Sequence, residues 1–193
     1  MSTTTPVSRA QTTWDIDVNH SSLGFSVRHL VISKVHGRFD RWSGSLTLDE
    51  AHPERSQVEA RIEAGSIDTH EPTRDAHLRS PDFFDTAKHP DITFRSIRVE
   101  RTDSDHYQLV GDLTLAGVTR SVTLVVEALG RVKDPWGAER IGFSARTAID
   151  RRGFGLVWNQ ALEAGGVVVG ETVEIGIEIE AVQRSETPAG PAA

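Results

Sequence analysis

The eight histidines are the clearest candidates for metal chemistry in this chain, because the sequence contains no cysteine. Metal sites built on imidazoles usually pair two histidines at H-x-H or H-E-x-x-H spacing. No such pair occurs among His20, His29, His36, His52, His70, His77, His89 and His106. The sequence therefore predicts no metal site, and no cofactor is expected.

Residues that could act in nucleophilic or phosphate chemistry do not have the required arrangement. The chain lacks a G-x-S-x-G nucleophile elbow. Ser21 directly follows His20, but neighbouring side chains on a strand point to opposite faces. Gly153-x-Gly155 precedes no helical pattern, so it lacks the context of a phosphate-binding loop. The sequence thus predicts no enzyme, with one alternative, in which His29 serves an isomerase or cyclase as the polar group of an apolar site.

Apolar residues predicted to face inward suggest a different chemistry, the binding of a hydrophobic ligand. Phe83 and Phe84 follow the turn signal Ser80-Pro81-Asp82 after a short helical pattern near residues 74–80, and two adjacent aromatic rings are costly to expose. We expect this segment to cover an apolar interior, with one ring touching the ligand and the other packed into the wall. The candidate cavity residues, each of which has core packing as its alternative role, are Phe25, Val27, His29, Phe39, Leu46, Ile62, Ile67, Leu78, Phe83, Phe84, Phe94, Leu113, Phe143 and Trp158.

The elements that must position these residues are strands with one apolar and one polar face. Even-numbered residues from Val58 to Ala64 are apolar and alternate with polar or charged ones, and odd-numbered residues from Val173 to Ala181 do the same. Side chains on a strand alternate between faces with period two. We therefore expect both apolar series to face the interior of the fold.

About eight such strands are predicted, together with one short helix and a second helical turn near residues 30–35. Ala116-Gly117 and Asp134-Pro135-Trp136-Gly137 have the composition of hairpin turns. Alternation alone leaves a β-sandwich and a β-barrel open. We favour the barrel, because closing the sheet removes its exposed edges, and an eight-stranded barrel has room for one small ligand.

Composition and charge are typical of a single globular domain, and they argue against nucleic acid as a partner and against a transmembrane segment. The chain has 193 residues and a formal net charge of −7 without a basic patch, which argues against nucleic-acid binding. No run approaches the ~20 apolar residues of a transmembrane segment, and Met1–Gln11 lacks the apolar h-region of a signal peptide. The sequence predicts a barrel domain over residues 13–183, flexible tails at 1–12 and 184–193, and a cytoplasmic location.

A series of short motifs occurs along the chain in an order that resembles one known family. The motifs are Trp14-x-Ile16-Asp17, Phe25-x-Val27-x-His29, Val35-x-Gly37-x-Phe39, Arg74-Asp75-x-His77-Leu78, Asp82-Phe83-Phe84-Asp85, Pro90-x-Ile92-x-Phe94, Gly111-x-Leu113-Thr114 and Asp150-Arg151-x-x-Phe154-Gly155. In this order they resemble the YceI-like family of polyisoprenoid-binding, lipocalin-like proteins, from about Trp14 to Val182.

The resemblance implies an all-β fold, an eight-stranded antiparallel lipocalin-like barrel with one or two short helices. It also implies that an apolar cavity holds an isoprenoid or quinone-like lipid, and it makes a homodimer plausible. Many relatives are periplasmic, unlike the cytoplasmic location predicted above. Three functions stay open: a carrier or sequestering protein for such a lipid, an isomerase or cyclase in the same cavity, and an interaction module whose cavity is filled by side chains.

Overall fold

The computed structural model describes residues 11–30, 32–161 and 167–184 as an all-β fold with one α-helix. Short 3-10 turns occur at Pro53–Arg55, Ala64–Ser66 and Arg151–Phe154. In chain order the elements are β1 Thr12–Ile16, β2 Ser22–His29, β3 Ser33–Phe39, β4 Trp42–Leu48, β5 Gln57–Glu63, β6 Ile67–Asp68, α1 Pro72–Arg79, β7 Asp91–Arg101, β8 His106–Leu115, β9 Val118–Lys133, β10 Glu139–Asp150 and β11 Val169–Gln183.

The strands form one antiparallel sheet that closes on itself. Its pairing order is β1-β4-β5-β7-β8-β9-β10-β11, and β11 pairs back with β1 at Trp14↔Gln183. The segments β2, β3 and β6 extend from β11 in that order, so that β1 with β2, β4 with β3, and β5 with β6 act as three bent barrel strands. The predicted eight-stranded antiparallel, lipocalin-like barrel is therefore confirmed.

The hairpin turns follow the backbone preferences of their residues, with one correction. Ala116 and Gly117 both have positive φ, 48° and 78°, as a type I′ hairpin turn requires. The helical turn predicted near residues 30–35 is wrong. The β2–β3 ladder runs as far as His29↔Ser33, and the chain from Ser33 to Phe39 is strand β3.

Helix α1 lies against the end of the barrel beside β6, where it is held by charged side chains. Glu71 caps its N-terminus by accepting hydrogen bonds from the amides of Thr73 and Arg74. Asp75 is buried, and its carboxylate accepts hydrogen bonds from Thr69 N and Oγ1 at 3.0 and 2.6 Å. Arg79 donates to the Ile67 carbonyl at 2.8 Å. These bonds fix α1 and therefore the aromatic segment that follows it.

The predicted faces of β5 and β11 agree with the structure. Val58 and Ile62 point into the barrel, whereas Glu59 and Arg61 between them are exposed. On β11 the odd-numbered residues from Val173 to Ile179 also line the interior. The inner faces of the strands thus surround a space that their side chains do not fill.

Candidate functional site

A continuous cavity of about 580 Å³ occupies the barrel interior. This volume is typical of pockets that bind small molecules, which span about 300–1,000 Å³. Its wall is made almost entirely of the inward-facing aliphatic and aromatic side chains of the barrel strands. Such a wall offers a long apolar surface with few hydrogen-bonding groups, so it suits an extended hydrophobic chain better than a polar metabolite.

Most of the residues predicted for the cavity lie on its wall. Those that line it are Phe25, Val27, Phe39, Leu46, Ile62, Ile67, Leu78, Phe83, Phe84, Phe94, Leu113 and Phe143. Their contact with a ligand stays a prediction, because all of these side chains except Val27 also belong to the packed core of the barrel.

His29 and Trp158 do not line the cavity. His29 lies at the last pair of the β2–β3 ladder, and the register of its other neighbour, β11, is irregular between Val169 and Val173. Val169, which pairs with His29, is on the wall, but His29 itself is not. Trp158 lies behind the wall, with its ring 5.4 Å from that of Phe83 and 4.7 Å from that of His77.

Phe83 and Phe84 both line the cavity, which corrects the expectation that one ring would point into the wall. That expectation assumed an extended chain. Instead, the amide of Phe83 donates to the Ser80 carbonyl at 3.1 Å and that of Phe84 to the Leu78 carbonyl at 3.0 Å. These turns bring both rings to the same side. Phe84 then packs edge-to-face against Phe39, with centroids 6.1 Å apart.

The two ends of the cavity differ in exposure. The end beneath α1 is sealed by buried wall residues: Ile67, Phe83, Phe84 and Leu156. Exposed wall residues occur where β4, β7 and β9 end: Glu50, Arg101, Gly130 and Arg131. We call this second end the mouth, since it is where a ligand in the cavity would meet solvent.

The mouth is polar, and the sequence reasoning did not identify its residues. Arg131 forms an ion pair with Glu50 at 2.5 Å. Arg101 donates to the carbonyls of Asp103 and Ser104 at 2.9 and 2.6 Å. The one sequence signal for the mouth was Arg131, an arginine that follows the alternating apolar residues of β9. Alternation does not place Arg131 on the inner face, because a bulge shifts the β9–β10 register between Gly142 and Phe143.

One buried guanidinium, that of Arg151, contributes to the cavity wall away from the mouth. It donates to the carbonyls of Gly170 and Trp158 at 2.8 and 3.0 Å and also to that of Leu156. Burial lowers its pKa from the ordinary arginine value. The neighbouring Arg152, by contrast, forms an ion pair with Asp150. Through these hydrogen bonds, Arg151 connects the backbone around Leu156 and Trp158 with that of Gly170.

A cluster of metal-ligand residue types lies on the barrel exterior. Ligand atoms of Asp17, His20 and Glu180 are within 4.8 Å of one another. Arg140 already donates to Asp17 at 3.0 Å, to Glu180 and to Asp134 at 2.8 Å. A guanidinium therefore supplies the positive charge among these carboxylates. That the protein needs no metal stays a prediction.

No helix in the described ranges has the length and apolar character needed to cross a membrane.

Comparisons with known proteins agree with the fold. The YceI-like domain model matches residues 14–181. Protein YceI of Escherichia coli O157:H7 is 38% identical over 170 residues, covering 88% of this chain and 85% of that protein. The crystal structure of a Campylobacter jejuni YCEI protein superposes with a TM-score of 0.71 at 33% identity, covering 82% of this chain and 90% of that one.

A more distant structure shares the fold alone. It is described as a polyisoprenoid binding domain from Saccharophagus degradans, implicated in plant cell wall breakdown. It has a TM-score of 0.66 at 18% identity and covers 90% of this chain and 99% of that one. Because the family model spans nearly the whole barrel and the Escherichia coli relative aligns with both chains over most of their length, this chain belongs to the YceI-like family.

Proposed function

We propose that this protein binds a polyisoprenoid or quinone-like lipid in its barrel cavity and carries or sequesters it. The observation that supports this most directly is the cavity itself, about 580 Å³ of space with an almost wholly apolar wall. The name of the Saccharophagus degradans domain, a structural neighbour, points to the same ligand class.

The apolar wall is sufficient to account for useful affinity. Burial of apolar surface contributes about 25 cal/mol per Å², so a tail that loses roughly 300 Å² gains about 7 kcal/mol. The loss of translational and rotational freedom on association offsets part of this gain. Longer tails bury more surface, and we expect affinity to rise with chain length until the cavity is full.

The distribution of polar groups suggests how the lipid is oriented. Glu50, Arg101 and Arg131 lie together at the mouth, whereas Phe83 and Phe84 lie at the sealed end. A lipid that enters tail first would place its apolar chain against the aromatic rings. Its polar head would remain near water and the charged side chains, where it does not lose its hydrogen bonds.

The two alternative functions have less support. The isomerase or cyclase interpretation relied on His29 as a polar group inside the cavity, and His29 is not on the wall. Thr147 is a polar residue that does line the wall, but its hydroxyl already donates a hydrogen bond to the Thr123 carbonyl at 2.8 Å. The interaction-module interpretation required a cavity filled by side chains, whereas the barrel encloses open space. We therefore retain the lipid-binding proposal.

The proposal is tested by extracting the purified protein with organic solvent and analysing the extract by mass spectrometry. We expect a prenyl lipid in near-stoichiometric amount. Lipid-stripped protein is then titrated with prenyl alcohols of increasing length, and we expect saturable binding that tightens with length. A stripped protein that binds none of these alcohols would contradict the proposal, whatever the extract contains.

A further inference from the structure

The β9–β10 hairpin projects beyond the neighbouring strand β8 at the mouth of the cavity. Strand β8 begins at His106, opposite Glu127 of β9. The β9–β10 ladder continues from there to Glu139↔Lys133. Within the described part of the chain, only β10 pairs with the last residues of β9. Among the described residues, no strand other than β10 covers this tip, so it can contact a partner outside the barrel.

A large aromatic side chain stands at that tip. Trp136 lies in the turn Asp134–Gly137 and is 86% exposed. The turn is well ordered, because the Asp134 carboxylate accepts hydrogen bonds from the amides of Trp136 and Ala138 at 3.0 and 2.9 Å and from Arg140 at 2.8 Å. Gly137 has φ +94°, which a glycine adopts without strain. The turn thus holds the indole outward instead of allowing it to fold onto the barrel.

Two aliphatic side chains extend the apolar surface along the outside of β9. Val132 is 64% exposed and Leu129 is 57% exposed. Together with Trp136 they expose on the order of 400 Å², which is within the range of the largest apolar patch on a typical monomer. A stable protein dimer usually buries about 800 Å² on each partner, polar surface included. These three side chains supply about half of that area, which is sufficient for shallow insertion into a lipid layer.

The patch lies next to the cavity mouth. Gly130 and Arg131, which are adjacent in sequence to Leu129 and Val132, form part of the mouth. The same few residues of β9 therefore present the cavity on one face and the apolar patch on the other. Tryptophan favours the boundary between water and hydrocarbon, because its ring is apolar and its N–H can stay hydrated.

We propose that the β9–β10 hairpin docks the barrel on a phospholipid bilayer and brings the cavity mouth to the membrane surface. Trp136, Val132 and Leu129 enter the interfacial region, and the Lys133 ammonium beside them can reach lipid phosphates. The chain has a net charge of −7, so the attraction depends on apolar insertion and not on anionic lipid. This docking is separate from ligand binding in the cavity.

The test is flotation of the full chain with phosphatidylcholine vesicles. We expect the native protein to partition onto them and Trp136→Ala to weaken this at least about tenfold. Ile32→Ser is the matched control, because Ile32 is 84% exposed on the β2–β3 turn at the opposite end of the barrel. Trp136→Phe should keep most of the partitioning and lose the quenching of tryptophan fluorescence by brominated lipid. Thermal unfolding confirms that each variant is folded.

Other outcomes would overturn the inference. The native protein could fail to partition onto the vesicles, or Ile32→Ser could weaken partitioning as much as Trp136→Ala does. A dimer in sedimentation experiments that dissociates in Trp136→Ala would assign the hairpin to a second copy of the chain. Prenyl alcohol binding by lipid-stripped Trp136→Ala should remain native, so this test is independent of the function proposed for the cavity.

Discussion

The Arg131 guanidinium carbon lies 4.7 Å from the centroid of the Trp14 ring. Trp14 is on β1 and is fully buried, whereas Arg131 is on β9. In the closed strand order, β9 is separated from β1 by β10 and β11. Arg131 also pairs with Glu50, which follows β4 on the opposite side of the barrel. Its side chain therefore reaches across the mouth and narrows it.

Replacement of Arg131 by alanine should widen the mouth. We expect faster exchange of a fluorescent prenyl ligand, measured by stopped-flow displacement. The free energy of unfolding in urea should fall by about 1–2 kcal/mol, because a cation–π contact contributes about 0.5–2 kcal/mol. Arg146→Ala on the exposed face of β10 is the control. Equal exchange rates in the two variants would show that Arg131 does not limit passage through the mouth.

Arg151→Met should be among the more destabilising single substitutions. It leaves the carbonyl groups of Leu156, Trp158 and Gly170 without this donor, and each unpaired buried group costs about 1–3 kcal/mol. We expect a loss of about 3–5 kcal/mol in the free energy of unfolding. Arg152→Met removes only exposed ion pairs and should cost less than about 1 kcal/mol. Similar losses in the two variants would contradict the assigned role of Arg151.

Acid should destabilise the protein partly through Asp134. The hydrogen bond from Arg140 holds the pKa of this carboxyl below its usual range. A carboxyl whose pKa is lower in the folded state adds stability above its unfolded pKa of about 3.9. That contribution is lost as pH falls through the folded value. In urea unfolding between pH 2 and 6, Asp134→Asn should show a flatter decline than the native chain.

Strand alternation is sufficient to predict most of the cavity wall, although it does not by itself distinguish a barrel from a sandwich. Where the ladder is regular, as from Val58 to Ile62 on β5, a residue's parity gives its face directly. The period is a property of the extended backbone, so it needs no tertiary information. The same argument correctly places Phe25, Val27 and Phe143 on the wall.

Bulges and turns set the limit of that reasoning. Inward residues of β9 are even-numbered as far as Ala128, but beyond the bulge the inward residue is Arg131. Simple alternation predicts that even-numbered residues continue to face inward beyond the bulge, so it does not place Arg131 at the mouth. Phe83 and Phe84 are another such case, because turn hydrogen bonds and not strand geometry orient their rings. Both effects depend on pairing partners that are distant in sequence or on backbone turns, which the alternation pattern does not encode.

Filling the cavity from inside should block ligand binding without affecting the outer surface. Ala145 lies on the cavity wall in the middle of β10, and Ala148 on the same strand is exposed. Ala145→Phe places a ring in the space that the lipid tail would occupy, so we expect prenyl alcohol affinity to fall at least about tenfold. Ala148→Phe adds the same ring outside the barrel and should bind as the native protein does.

The binding comparison is meaningful only if the variants remain folded, so their free energy of unfolding is measured as well. Overpacking a filled core typically costs about 1–3 kcal/mol, but the ring at position 145 enters open space and gains apolar burial. We expect Ala145→Phe to unfold within about 1 kcal/mol of the native chain in urea. A folded Ala145→Phe that still binds prenyl alcohols with native affinity would place the ligand outside the barrel cavity. Weakened binding by Ala148→Phe alone would instead locate the ligand on the outer face of β10.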